Sequence, residues 1–326
     1  VAQAAEEESM KELFVKDLVR DKDVNDYFLV VRKGTYQSRN NTKYMTLLLK
    51  DRTGSIEARV WERVDELGAR FERNDVVYVE SRAKMYQESL QLSVTNVRKV
   101  EQELSTDQLK EFYPESDAAS SDLQKAFFEL VSGLKNPHLK ALFDELGKRK
   151  DLLDRFFVFP ASIGVHHVYI GGLLEHSVNL ATMAKGIALL TRTDEDLLVS
   201  GSLLHDIGKV EELTIKGGFG YSDKGRLLGH ITLGIMLCDG LIAGIEGFPD
   251  YLGDVLKHII LSHHGEAEWG SPKKPMCQEA LVIHYLDNLD AKVVGVREHM
   301  QENMDDETWT QYHKLFESRF YKLPER

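Results

Sequence analysis

Tyr44-Met-Thr-Leu-Leu-Leu-Lys-Asp-Arg-Thr-Gly-Ser-Ile-Glu-Ala-Arg-Val-Trp61 divides into two short runs around a tight turn. In Ser55–Trp61, Ile56, Ala58 and Val60 alternate with Glu57, Arg59 and Trp61, the period of two that sends successive side chains to opposite faces of a strand. Tyr44–Lys50 is a second strand run. Asp51-Arg-Thr-Gly54 between them is predicted as a hairpin turn, with Gly54 suited to a positive φ. Upstream, Tyr27–Gly34 reads as a strand. Downstream, Arg63–Phe71 reads as a short helix with Val64, Leu67 and Phe71 on one face, ended by Asn74-Asp75. Val76–Glu80 and Leu90–Thr95 follow as strands.

Three strands, a helix and two strands is the order of an OB barrel, a five-stranded fold that often binds oligonucleotides, and the pattern resembles the nucleic-acid-binding OB family. Aromatic residues stand beside bases here: Tyr36 near Arg32, Lys33 and Arg39, Tyr44 by Lys43, and Tyr86 by Lys84. Such pairs stack bases and hold phosphates in single-strand binders, although most strand tyrosines are core. Tyr36 and Tyr44 are the barrel residues expected to contact substrate.

Beyond the barrel the period changes. Leu123, Ala126, Phe127 and Leu130 share one helical face, and Leu139, Leu142, Phe143 and Leu146 another. Helices are predicted over 173–190, 194–204, 227–242, 251–262 and 279–300, with no credible strand. The expected organisation is multidomain: an N-terminal barrel over 12–104, a linker over 105–121 rich in Glu, Ser, Asp and Pro, and an all-α bundle over 122–326.

Charge follows the same division. The 326 residues carry a formal −12, which alone argues against binding phosphates. Residues 11–100, however, hold 18 Lys and Arg against 14 Asp and Glu, so the acid lies elsewhere. Two distant cysteines, Cys238 and Cys277, suit a reducing cytoplasm and carry no disulfide framework. An acidic N-terminus without an apolar core does not read as a signal peptide. No uninterrupted apolar stretch approaches the ~18–20 residues of a membrane span, so a cytoplasmic protein with no membrane partner is expected.

All 12 His lie at or after His138, and nine fall between His166 and His284. Within that window stand His176, His205-Asp206, His230 and His263-His264, with Asp287 just after it, each inside or at the end of a predicted helix. A bundle can aim side chains from several helices into one interior site, and imidazole with carboxylate suits divalent transition metals. His205 and Asp206 diverge by ~100° on a helix, and the following Gly208 is expected to loosen the backbone so that both reach one site.

The order His176, His205-Asp206, Asp287 resembles the HD superfamily of metal-dependent phosphohydrolases, and Leu204-His-Asp-Ile-Gly-Lys209 matches its central motif. His230, His263 and His264 resemble the branch that binds two metals, which implies that Asp206 bridges the ions. Gly171-Gly-Leu-Leu-Glu-His176-Ser, His263-His-Gly-Glu-Ala-Glu-Trp-Gly-Ser-Pro-Lys273 and the run Glu279–Lys292 are similar to the YhaM-type 3′–5′ exoribonucleases, which also place an OB domain before an HD domain.

That resemblance implies metal-dependent hydrolysis of single-stranded RNA, with single-stranded DNA also open, to nucleoside monophosphates by a metal-activated hydroxide. It implies divalent ions, two in number, manganese first among manganese, cobalt, iron and magnesium. Asp206 and Lys209 are the expected catalytic residues, with Lys209 on a phosphate oxygen. His176, His205, Asp206, His230, His263, His264 and Asp287 are the expected ligands, with one of His263 and His264 open to an outer role. Asp290 is an outer acid or an alternative to Asp287. Lys224, Arg226, Trp269 and Lys273 are candidate substrate contacts, and Lys216-Gly-Gly-Phe-Gly-Tyr221 a candidate flap or a surface loop. His284 contacts substrate or packs, and His166 or His167 approaches the site or is structural. A phosphohydrolase of small nucleotides and a nucleic-acid-binding factor with weak catalysis are the other readings, and a homo-oligomer is open.

Overall fold

The computed structural model describes residues 9–38, 40–116, 120–163, 169–302 and 308–323. Strands Asp23–Gln37 (β1), Lys43–Asp51 (β2), Gly54–Val60 (β3), Val76–Tyr86 (β4) and Ser89–Lys99 (β5) close a barrel in the order β1-β2-β3-β5-β4. The β3–β5 pair is parallel, and the other pairs are antiparallel. Helix Val64–Gly68 (α1) follows β3, and Leu67 with Phe71 seals one end of a core built by Phe28, Met45, Leu49 and Ile56 among others.

The β2–β3 turn differs from expectation. Gly54 does not adopt positive φ. The Asp51 carboxylate accepts from the Thr53 amide at 2.8 Å and from the Thr53 hydroxyl at 2.6 Å, so a side chain shapes the turn instead. The left-handed pair lies in the other hairpin, at Gln87 (φ 45°) and Glu88 (φ 69°). No glycine advertises it, and β4 and β5 run well beyond Glu80 and Thr95.

The rest of the chain is mainly helical: Thr106–Leu109 (α2), Ser120–Ser132 (α3), Pro137–Lys148 (α4), Lys150–Val158 (α5), Gly172–Thr191 (α6), Glu195–Leu204 (α7), Lys209–Glu212 (α8), Asp223–Ile242 (α9), Asp250–Ser262 (α10) and Gln278–Glu302 (α11). Helix α7 is the axis. Asp194 caps its N-terminus by accepting from the Leu197 amide at 2.9 Å, and every residue from Asp196 to Leu204 is buried. Gly201 admits the close approach of Ile259 and Ile283, whose methyl carbons lie within 3 Å of where its Cβ would stand. Helix α9 is long and apolar enough to cross a membrane by length and mean hydropathy, but Asp223, Lys224, Arg226 and Asp239 interrupt its apolar run, and it kinks at Gly229 (φ 70°, ψ 157°) just before His230.

Residues 105–116 of the segment expected as a linker are packed. Ser105 and Gln108 form a capping box on α2, and Phe112 and Tyr113 are buried. Leu29, Val76 and Val100 point out of the barrel into the core of the helical half. The loop at Lys216–Tyr221 is the strap between the halves rather than a flap. Its ends form a two-stranded ladder, Leu213–Thr214 (β6) with Gly220–Tyr221 (β7), where no strand was predicted. The Val76 amide donates to the Gly217 carbonyl at 2.6 Å, and the Gly217 amide to the Gln102 carbonyl at 3.0 Å. Gly217 (φ 60°) and Gly218 (φ 116°) are required, since a Cβ would meet the Val100 carbonyl at 2.1 Å or the Asn74 carbonyl at 2.7 Å. Phe219 is fully buried against Tyr113 and Phe159.

Phe219→Ala is therefore expected to destabilise the protein by about 3–5 kcal/mol, read from denaturant unfolding. A wild-type midpoint would contradict Phe219's role as the plug of the junction.

Candidate metal centre

Seven side chains converge from five helices and their ends. His176 comes from α6, and His205 and Asp206 from the C-terminal end of buried α7. His230 follows the kink in α9, His263 caps the C-terminus of α10, and Asp287 comes from α11. His264 is brought alongside His263 where the chain leaves α10, just before Gly265 at φ 77°. Gly208 acts differently from expectation. It is helical (φ −64°), and a Cβ there would stand 1.9 Å from the His230 carbonyl oxygen. It permits close approach of α9 rather than loosening the backbone.

The two oxygens of Asp206 face different groups. Oδ2 lies 3.4 Å from His205 Nε2 and 3.9 Å from His176 Nε2, and Asp287 Oδ1 is 3.1 Å from His176 Nε2. Oδ1 lies 3.6 Å from both His230 Nε2 and His263 Nε2. The ligand atoms of His176, His205 and Asp287 form one set able to hold a metal, and those of His230, His263 and His264 another. Asp206 stands between the sets.

Outer hydrogen bonds fix which nitrogen of each ring faces inward. Nδ1 of His205, His263 and His264 contacts the carbonyls of Ser202 (2.7 Å), Ile260 (2.8 Å) and Trp269 (2.7 Å). A carbonyl only accepts, so each Nδ1 carries the proton and each Nε2 presents a lone pair. Asp290 Oδ2 engages His176 Nδ1 at 2.6 Å, and Glu212 Oε1 engages His230 Nδ1 at 3.3 Å and accepts from its amide at 3.0 Å. Carboxylate–imidazole pairs of this kind orient metal ligands. Asp206 Oδ1, His230 Nε2 and His263 Nε2 are buried with no hydrogen-bond partner. Buried acceptors aimed at one another are costly, and a cation between them removes the cost.

The side chains' own electrostatics agree. Burial opposes a charge on His176, but the hydrogen bonds it donates to Asp287 and Asp290 outweigh that and push its pKa up to about 10, so an ion bound there displaces the Nε2 proton. Burial raises Asp206, yet Lys209 and the surrounding imidazoles hold it well below the usual carboxylate range. Asp287 is also lowered, burial being outweighed by His176. Burial drives His263 and His264 down, leaving them neutral. Both carboxylates are thus anionic, and two of the imidazoles have free lone pairs.

A cavity of about 710 Å³ opens beside this set, lined in part by His176, Asp206, Lys209, His264, Trp269 and Asp287. Lys209 Nζ donates to Asp206 Oδ2 and to the Ala161 carbonyl, both at 2.6 Å; burial works against its charge, but Asp206 raises its pKa, so it stays an ammonium. Trp269 is half exposed at the rim. His284 is buried with Nδ1 on the His263 carbonyl at 2.8 Å. Lys224, Arg226 and Lys273 do not line the cavity; Lys224 pairs with Glu211 at 2.9 Å, and Arg226 lies over Tyr221. His166 and His167 lie outside the described residues. Glu212 had no sequence signal, because its role depends on the α9 kink that brings His230 over it.

On the barrel, Tyr36, Tyr44 and Trp61 form a continuous row. Tyr44 stacks on Trp61 with centroids 4.9 Å apart, and Tyr36 lies 5.9 Å from Tyr44. Tyr36 and Trp61 are about half exposed. Arg59 covers Tyr86 at 4.6 Å. Lys33 is not part of this surface, since Nζ donates to the Gly68 and Phe71 carbonyls at 2.7 and 2.6 Å. Trp61 belonged to the outward set of the alternation in β3, which was the signal for it.

The HD domain family matches residues 173–292, and the OB-fold nucleic acid binding domain family matches residues 29–100. The chain is 32% identical over 305 residues to the 3′-5′ exoribonuclease YhaM of Geobacillus sp. (strain WCH70), covering 91% of each. It is 32% identical over 300 residues to the protein of that name from Bacillus subtilis (strain 168), covering 91% of this chain and 94% of the relative.

Asp290→Ala is expected to weaken binding of divalent metal about 10- to 100-fold, measured by calorimetric titration. Affinity equal to wild type would contradict the orienting role of Asp290.

Proposed function

The chain belongs to the YhaM family of 3′–5′ exoribonucleases, and from that premise we propose that it removes nucleoside monophosphates from the 3′ end of single-stranded RNA, with single-stranded DNA as a further substrate. The observation that carries this is the Asp206 carboxylate, whose two oxygens address two separate ligand sets. We assign His176, His205 and Asp287 to one divalent ion, His230, His263 and His264 to the other, and Asp206 to both. Imidazole and carboxylate donors without thiolate suit manganese, cobalt, iron or magnesium, of which manganese is our choice. When bound, such ions supply a water of lowered pKa and offset charge on phosphoryl oxygens.

The protein's own groups do the rest. Asp290 and Glu212 hold two imidazoles in orientation. The Lys209 ammonium, fixed by Asp206 and the Ala161 carbonyl at the cavity wall, balances charge that grows on the phosphoryl group. Water oxygen joins phosphorus as the bond to the 3′-oxygen breaks, and that oxygen leaves with a proton. Trp269 at the rim offers a ring to a base. The barrel row of Tyr36, Tyr44 and Trp61 stacks bases further along the strand, which fits a barrel that holds substrate while the helical half cuts. The reading includes a cytoplasmic location, consistent with two unpaired cysteines.

With manganese and 5′-labelled single-stranded RNA, the wild type should give a ladder shortening from the 3′ end. Asp206→Ala should lose more than the ~100-fold cost of an outer-partner mutation while still binding RNA. Full-length RNA persisting with the wild type, or wild-type rates in the variant, would overturn the reading. Trp61→Ala should weaken RNA binding by about 1–3 kcal/mol in a filter-binding or anisotropy titration, and unchanged binding would remove the aromatic row from the RNA path.

A further inference from the structure

The metal-facing residues account for only part of the cavity beside Asp206. Besides residues around Tyr169 and Asn179, its lining includes a wall from α11 and from the C-terminal segment 308–323, formed by Asn288, Lys292, Val294, Leu315 and Phe316. We propose that this wall is a nucleoside subsite, in which Leu315 and Phe316 cover the base of the 3′-terminal nucleotide and Lys292 meets a phosphate. The proposal rests on the exoribonuclease reading above, and supplies the base contact that the metal ligands cannot.

The segment is fastened to α11. His299 of α11 contacts the Gln311 carbonyl through Nε2 at 2.8 Å and packs against His313 with ring centroids 4.6 Å apart. Phe316 lies 4.9 Å from His313 and 5.4 Å from Phe320. Gly295 makes room for it, since the Phe316 ring comes within 3.4 Å of where a Cβ would stand. Held this way, Leu315 remains 81% exposed while lining a cavity. A lone exposed leucine on an open surface is ordinary; one presented on a fixed wall beside a phosphodiester site offers an apolar face to the group next to the phosphate, which is the nucleoside.

The polar groups fit the same occupant. Lys209 is engaged by Asp206. The side chain of Lys292, one helical turn after Asn288 on the same face of α11, makes no ion pair or hydrogen bond with any described residue, and neither do the side chains of Asn288 and Asn179, which line the same cavity. An unpartnered cation with two unpartnered amides beside an apolar wall matches a phosphate, a ribose or base edge, and a base face. A volume of about 710 Å³ lies within the ~300–1,000 Å³ of pockets that bury small ligands.

The test is calorimetric titration of manganese-loaded full-length protein with adenosine 5′-monophosphate and with ribose 5-phosphate, which lacks the base. Leu315→Ala should weaken the nucleotide about tenfold and leave ribose 5-phosphate unchanged, whereas Lys292→Ala should weaken both. Manganese content and the unfolding midpoint of both variants should match wild type. Nucleotide affinity unchanged by Leu315→Ala, equal loss for both ligands in that variant, or loss accompanied by loss of manganese would overturn the subsite. Wild-type protein that binds the nucleotide through Leu315 yet leaves RNA intact would keep the subsite and overturn the exoribonuclease reading.

Discussion

Asp206 is a buried carboxylate with imidazole lone pairs on both of its sides. Oδ1 has no hydrogen-bond donor, and it lies 3.6 Å from two nitrogens in the same condition. The positive charges that reach the carboxylate among the described residues, Lys209 and the raised His176, do so at Oδ2. Removing charge from water costs several kcal/mol per ion after relaxation, so a fold would not assemble such a group without cations to complete it. Much else follows from keeping this group in place: the burial of α7 over its length, the glycine at 208 against the His230 carbonyl, the kink at Gly229, and the five outer acceptors that turn each Nε2 inward.

The barrel is joined to this centre rather than tethered to it. Leu29, Val76 and Val100 leave the barrel to enter the helical core, and the Gly217-Gly218 strap runs against the end of β4. Strap and site are also continuous in sequence, because α8 runs from Lys209 to Glu212, directly before β6. Glu212 both ends α8 and orients His230. Neighbouring residues therefore anchor the barrel and position an imidazole of the ligand set, so the barrel and the His/Asp cluster hang on one structural element.

Two kinds of feature were legible in the sequence, and both are local. Alternation in Ile56, Ala58 and Val60 requires only a strand, and it brought out the barrel order. His and Asp spaced across predicted helices require only that the helices pack, and the structure brings all seven of those side chains together. The rest depended on tertiary contact. Gly217 and Gly218 look the same in sequence whether they serve a mobile flap or a tight junction. Asp290 looks the same whether it binds an ion or an imidazole. Gly54 carried the usual hairpin signal, but the Asp51 side chain supplied the turn, while the left-handed pair fell on Gln87 and Glu88, which carry no signal. The packed character of 105–116 was hidden because its polar residues outnumber Phe112 and Tyr113, although those two decide its fate.

The central claim is that one carboxylate joins two ions. A crystal structure of the manganese-loaded protein, with anomalous difference maps collected at the manganese edge, tests it directly. The account predicts two anomalous peaks, one contacted by Asp206 Oδ2 with His176, His205 and Asp287, the other by Oδ1 with His230, His263 and His264. A single peak, or two peaks that Asp206 does not share, would contradict it.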